Sequence, residues 1–397
     1  MKKNIIGIIR RIILAAVPIL LLLNLTGCKH SFLPPRKEID DLQLVQVIGI
    51  DKLSYSTNDC MLTVASKNLE VGGSQEQSGG TDGSSGGSKS KALVLTSTGK
   101  TFFDAARNIQ THSNKTIFWG HSQYYLIGEE AAKDNISKYI DFFTRDHELR
   151  IDSKVYIVKG STAKDLIEQF NKSEYYIAEK LDILGKNFKL LGTSAEIKLY
   201  ELMQFVDIHH GSARIPCIYL TSRESETGKQ VYDIESCGYA ILSDLKLVGY
   251  LDKDISRGVS LITNDIESSV IVVKDMTDQD VSLEIIRANT KVIPFFNGDN
   301  LERVLLKTKV ISHLGEIQSL AEYTNENSIS YMEIQQSEIL KNEMQSALEK
   351  ILELKADCLD ICDRIRLKRP LKWHKIEDQW AEIFPNIKFD IQEIGRA

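Results

Sequence analysis

The sequence predicts an α+β fold: three mixed α/β domains with largely antiparallel or mixed sheets, preceded by a cleaved signal peptide. Three observations predict it. Strand-like and helix-like segments interleave between residues 41 and 197. After residue 263 a run of strands is followed by one long amphipathic helix. The first 27 residues place four cations ahead of a short apolar run.

The leader comes first. Lys2, Lys3, Arg10 and Arg11 precede the apolar stretch Ile12 to Leu23, and no acid lies among residues 1–27. Twelve helical residues span ~18 Å, short of a ~30 Å hydrocarbon core, so a secretory signal fits better than a membrane span. Leu25-Thr26-Gly27-Cys28 then reads as a bacterial lipobox. It predicts a diacylglyceryl thioether on Cys28, cleavage between Gly27 and Cys28, and an N-acyl chain on the freed amine. Several acyl chains hold a protein stably on a membrane where one is marginal. Residues 28–40 form a polar tether.

The N-terminal domain is expected over 41–197. Leu42 to Ile50 and Met61 to Ser66 read as its first strands. Between Gly72 and Ser90, seven residues are Gly and six are Ser, which predicts a disordered insertion with nothing to bury. Ala92–Thr96, Ser122–Ile127 and Lys154–Val158 are strand-like. Phe102–Gln110, Glu129–Phe143 and Ala163–Phe170 are helix-like, and 173–210 reads as mostly helical.

A middle domain is expected over 198–262, with strands at Val231–Leu242 and Lys246–Leu251. The C-terminal domain, 263–397, has strand candidates at Ser269–Val273, Val281–Ile285 and Val304–Val310. In the last, Val304, Leu306, Thr308 and Val310 alternate with Leu305, Lys307 and Lys309, as a sheet with one buried face requires. Leu340, Met344, Leu348, Ile351, Leu354, Cys358, Ile361 and Ile365 form one stripe, predicting a helix over 334–365 that packs on those strands.

Composition narrows the function classes. The 397 residues are 42% hydrophobic and 26% charged, which excludes collagen, a coiled-coil rod and wholesale disorder. Net charge is −6, and removing the leader leaves −10. That balance argues against a nucleic-acid partner, which needs a basic patch. It also argues against adsorption to anionic lipid as the anchor, leaving the acyl chains to hold the protein.

Chemistry-bearing motifs are few. Thr98-Gly99-Lys100-Thr101 opens a helix after a strand, but Val94 stands where a phosphate-binding loop needs glycine. Thr101 as N-cap with Asp104 three residues on accounts for the same residues. His147-Glu148 lacks a second histidine, since Ile151 follows at that spacing, and the adjacent His209-His210 point apart on a helix. Cys60, Cys217, Cys237, Cys358 and Cys362 are too sparse for a disulfide scaffold, and their redox state is not legible. Cys358 and Cys362 are expected on one buried helical face rather than on a metal. No catalytic, metal-ligating, cofactor-binding or ligand-binding residue is assigned.

The order of features resembles a family. Lys37-Glu38-Ile39-Asp40-Asp41-Leu42 and Ile48-Gly49-Ile50-Asp51 resemble its N-terminal signature. Gly99-Lys100-Thr101 with Asp104 to Asn108, Gly120-His121, Leu126 to Ala131, and Val158 to Ala163 follow in its order. Gly238 to Ile241 with Leu247 to Leu251 is similar to a family hairpin, and Trp380 to Pro385 to its terminal motif. These segments resemble the Ger(x)C family, the C-subunit lipoproteins of nutrient germinant receptors in endospore formers. Lys29-His30 in place of Trp-Asp after the lipid cysteine, and the long Gly/Ser insertion, depart from the pattern.

The resemblance implies a non-enzymatic, lipid-anchored receptor subunit at the spore inner membrane, facing away from the cytoplasm. It implies partners in the A and B subunits of the receptor, a response to small nutrients, and structural roles for Gly99, Lys100 and His121. The alternative is a solute-binding lipoprotein of a membrane transporter, built as two lobes around a ligand cleft.

Overall fold

Both faces of the first strand, β1 (Leu42–Lys52), are apolar: Val45, Val47, Ile48 and Ile50 are all fully buried. A strand buried on both sides needs covering layers above and below it. A computed structural model, which describes residues 38–53, 59–67, 92–173, 175–208, 211–226, 228–318 and 326–396, provides both. Cys28, the Gly/Ser insertion at 72–90 and His209-His210 lie outside the described residues. The chain divides into a unit ending at Leu42, whose described part makes one 3-10 turn over Ile39–Asp41, and a compact unit, Gln43–Ala397.

In the compact unit β1 lies inside a ten-stranded sheet. Its other strands are β2 (Cys60–Lys67), β3 (Ala92–Gly99), β4 (Thr116–Phe118), β5 (Tyr124–Gly128) and β6 (Lys154–Val158). They continue with β7 (Ile197–Lys198), β8 (Ala213–Glu224), β9 (Gln230–Ser243) and β10 (Lys246–Leu251). The order is β10-β9-β8-β6-β5-β1-β2-β3, with β4 on β1 and β7 on β6. β8, β6, β5 and β1 are mutually parallel, and both flanks are antiparallel.

Helices α1 (Phe102–Ile109), α2 (Glu129–Asp134) and α3 (Ser137–Arg145) cover one face. There Phe102, Tyr139, Ile140 and Phe143 meet Ile48 and Ile50. Helices α4 (Ala163–Phe170) and α5 (Ile177–Leu191) cover the other, where Leu166, Phe170, Leu181 and Phe188 meet Val47, Leu126 and Tyr156. A further helix, α6 (Leu199–Ile208), adds Leu199 and Leu202 to the first core. The helix expected over 129–143 is two helices, because Asn135 Oδ1 accepts from Ser137 N and opens a new first turn.

The expected start of a middle domain at residue 198 falls inside this sheet: β7 pairs with β6, and β8 to β10 extend the same ladder. β9 alternates between two cores, sending Ala240 and Leu242 to the first and Tyr239 and Ile241 to a C-terminal one. That second core lies under a four-stranded sheet of β11 (Ser269–Lys274), β12 (Asp280–Asn297), β13 (Asn300–Ile317) and β14 (Lys388–Arg396). Helix α7 (Lys253–Thr263) and the long helix α8 (Glu326–Leu354) supply Val259, Leu340, Met344 and Leu348 to it.

The helix expected over 334–365 is broken. Lys355 and Asp360 take left-handed φ values of 53° and 61°, and α9 (Ile361–Lys368) starts afresh. Asp357 makes the restart: its carboxylate accepts from Ile361 N, Cys362 N and Trp380 Nε1. The apolar stripe runs on through the break because Ala356, Cys358 and Leu359 are buried in the loop. Cys358 and Cys362 are thus both buried, but Cys358 lies in the loop and the two do not share a helical face. Two short helices, α10 (Pro370–Ile376) and α11 (Trp380–Ile383), lead into β14, which joins β13 in parallel.

Candidate functional site

Segments far apart in sequence meet at the C-terminal ends of β1, β5 and β6. Asp51, at the end of β1, is 2% exposed. Its Oδ1 accepts from Ala163 N at 2.7 Å and its Oδ2 from Lys164 N at 2.9 Å, so it closes the first turn of α4. Thr162 caps the same helix from within, accepting from Asp165 N at 2.9 Å. Burial pushes the Asp51 carboxyl up to about 6, against the lowering by those two backbone N–H groups.

The glycines here are there for space. A Cβ on Gly128 would meet Asp51 Oδ1, and one on Gly49 would meet Ile167 Cδ1 at 2.9 Å. Beside them Glu129 accepts from Gly160 N at 2.5 Å and Tyr250 Oη at 2.9 Å, and pairs with Lys133 at 2.6 Å. Burial works against its charge, but the Lys133, Gly160 and Tyr250 donors outweigh it and hold its carboxyl below the usual range. Lys159 lies over the Tyr250 ring at 4.7 Å. The quoted motifs at 48–51, 126–131, 158–163 and 247–251 therefore form one corner, held by capping and close backbone approach. The carboxylates in it are engaged by helix-opening amides, a hydroxyl and a lysine.

The Gly99-Lys100-Thr101 segment behaves as its capping pattern predicts. Thr101 Oγ1 accepts from Asp104 N at 3.1 Å, and Lys100 N donates to Asp104 Oδ2 at 3.0 Å. His121 sits in a 3-10 turn over Trp119–His121. His147 is exposed in the turn after α3, where Asp146 Oδ1 accepts from Glu148 N at 2.9 Å. Among the described residues no three His, Cys, Asp or Glu side chains gather as a metal site would require.

A cleft of about 970 Å³ opens beside α1 and α3. Its wall is aromatic: Phe102 meets Tyr139 edge-on at 5.6 Å, and Phe103 meets Phe142 at 5.7 Å. Its rim is charged, with Lys52 and Lys138 on Asp134 at 3.5 and 3.3 Å and Arg145 on Asp141 at 2.8 Å. Cys60 lies at its base, but burial pushes the thiol up to about 12 and its Sγ donates to Gly99 O at 3.3 Å, so it is no nucleophile. The cleft suits a small amphipathic guest by shape, and its ionic groups already neutralise one another.

Two features were not legible in sequence. Cys217 and Cys237 form a disulfide between the neighbouring strands β8 and β9, while Cys60, Cys358 and Cys362 are buried as thiols. Arg214, also on β8, ties the two sheets together. Its guanidinium donates to Cys358 O at 2.6 Å, Asp360 Oδ1 at 3.1 Å and Asp265 Oδ2 at 3.0 Å. Burial opposes its charge, but Asp360 and Asp265 outweigh that and hold it protonated.

Two family models lie end to end on this architecture. One, described as the spore germination protein N-terminal domain, matches residues 35–220; the other, spore germination B3/GerAC like, C-terminal, matches 237–393. The two models, matched in order, thus define a spore germination protein of two successive modules. The chain belongs to the Ger(x)C family of spore germination proteins.

Spore germination protein B3 of Bacillus subtilis (strain 168) is 27% identical over 392 residues, covering 95% of each chain. Spore germination protein KC of the same organism is 21% identical over 397 residues, covering 97% of this chain and 94% of that one. A solved structure, the crystal structure of the GerBC protein, shares the fold with a TM-score of 0.51 at 20% identity, over 88% of this chain and 96% of that one.

Proposed function

We propose that the chain is a non-enzymatic, lipid-anchored subunit of a nutrient germinant receptor, held by acyl chains on Cys28. It acts beside the receptor's A and B subunits on the extracytoplasmic face of the spore inner membrane. The observation that carries this reading is the match of both family models, in order, over nearly the whole chain. The motif corner supports a non-enzymatic role, since its polar groups serve helix caps and ion pairs. The Cys217–Cys237 disulfide supports a compartment outside the reducing cytoplasm. No helix among the described residues is long and apolar enough to cross a membrane.

Anchored this way, the domains are confined to the membrane plane, which raises their effective concentration beside partner subunits. The test is deletion of the gene in its spore former, with complementation by wild type and by Cys28→Ala. Loss of the response to one nutrient, restored by wild type alone, is the expected result. Palmitate labels wild type and leaves Cys28→Ala unlabelled. Full nutrient response in the deletion strain, with no second receptor present, refutes the subunit role; continued labelling of the variant refutes the anchor.

A further inference from the structure

The four-stranded sheet carries a charge pattern that its fold does not need. Pleating sends Val292, Val304, Leu306 and Val310 into the core and turns the intervening residues outward. On the outward face Arg287, Lys291, Lys307 and Lys309 line a shallow groove of about 550 Å³, with Ile293 and Ile311 among them. Among the described residues no carboxylate lines the groove, and these four cations make no ion pair. Lys291 stands directly opposite Lys307 across the ladder, and like charges so placed weaken a sheet. The chain has acids to spare at net −6 and uses them nearby. Arg303, on the same strand, pairs with Asp390 at 2.6 Å, and Lys372 and Lys375 share Asp299 at 2.7 Å.

We infer that this face lies against the anionic headgroups of a phospholipid bilayer. Charge complementarity requires an anionic occupant, and two points select a bilayer over an acidic protein segment. The apolar Ile293 and Ile311 sit among long cationic stems, the arrangement that places stems at an interface and charges at phosphates. The inference also rests on the Cys28 anchor proposed above, which keeps the chain beside such a surface. The acyl chains on Cys28 already hold the chain at the membrane, and a basic face adds orientation to that attachment.

The test is sedimentation of the chain from residue 29 onward, which contains the whole compact unit and carries no acyl group. The vesicles are phosphatidylcholine alone or its equal mixture with phosphatidylglycerol. Binding to the mixture only, lost between about 0.1 M and about 1 M salt, is expected. Lys291→Gln with Lys307→Gln is expected to weaken it about 25-fold, at about five-fold per cation. The melting temperature of that variant is expected not to fall, because a repulsion has been removed.

Equal binding to both vesicles, or an unweakened double variant, overturns the inference. Binding to polyglutamate without binding to mixed vesicles also overturns it, and assigns the face to an acidic protein. Palmitate labelling reads the anchor separately, so failure of the anchor and failure of this face are distinguishable.

Discussion

Replacing Arg214 by Met keeps the aliphatic stem and removes the guanidinium that joins the two sheets. Asp265 and Asp360 are then left without the cation that faces both, and Cys358 O loses its donor at 2.6 Å. Breaking a buried ion pair from one side costs about 3–5 kcal/mol, and water reaches Asp265 and Asp360, 27% and 22% exposed, which holds the loss to the lower end of that range. Asp265 also keeps its bond from Thr263 Oγ1 at 2.6 Å, which places the expected loss at about 3 kcal/mol. With a urea m-value of about 3 kcal/mol/M, the unfolding midpoint drops by about 1 M. Circular dichroism against urea reads this directly. The discriminating partner is Arg214→Met with Asp265→Asn and Asp360→Asn, which removes both signs of charge and is expected to recover most of the loss. A single variant within about 1 kcal/mol of wild type, or a triple variant as weak as the single, refutes the reasoning.

Other residues make separate predictions. The Asp51 carboxyl is raised from 3.8 to about 6 on folding, so its favourable protonated contribution is complete below about 4 and is lost as pH rises through about 6. The stability of wild type relative to Asp51→Asn is therefore expected to fall by about 2 kcal/mol between pH 4 and pH 7, read by urea unfolding across that range. Replacing Cys217 and Cys237 together by Ser opens a loop of sequence separation 20, with an expected loss of about 3 kcal/mol. Thiol titration of the denatured chain from residue 29 is expected to find three thiols before reduction and five after. Thr101→Ala removes a helix cap and is expected to cost about 1 kcal/mol, while ATP leaves the wild-type melting temperature unchanged.

Much of the fold was legible because its strands announce themselves locally. β5 and β6 are near-continuous apolar runs, β1 is one from Val47 to Ile50, and α1 and α4 begin at Thr101 and Thr162 with an Asp three residues on. β8 was missed because Arg214 and Pro216 interrupt its run, and proline argues against a central strand. β12 and β13 were foreseen only over 281–285 and 304–310; each of these stretches pairs with a part of the other strand, 312–317 or 288–294, whose place is set by that pairing and which no single segment displays. The helix break at Lys355–Asp360 was hidden by its own burial, since apolar loop residues kept the stripe intact. The motif corner was half visible. Its segments were recognisable one by one, but only the parallel pairing of β1, β5 and β6 brings Asp51, Gly128 and Ala163 together.

The charge balance shows why a sum can mislead about a surface. A net charge of −6 argues against adsorption to anionic lipid only if every charge is felt equally at the contact. At physiological salt the screening length is about 8 Å, little more than two residues along a strand. What a headgroup meets is therefore the face in front of it, and the acids elsewhere on the chain are screened. The strand pleat does the sorting: from alternating residues of β12 and β13 it collects Arg287, Lys291, Lys307 and Lys309 on one side and aliphatic residues on the other. The surplus acid then acts on orientation, since a chain acidic elsewhere is repelled by the same bilayer on its other faces. One basic face on an acidic body thus specifies which way a tethered protein lies more sharply than a uniformly basic one would.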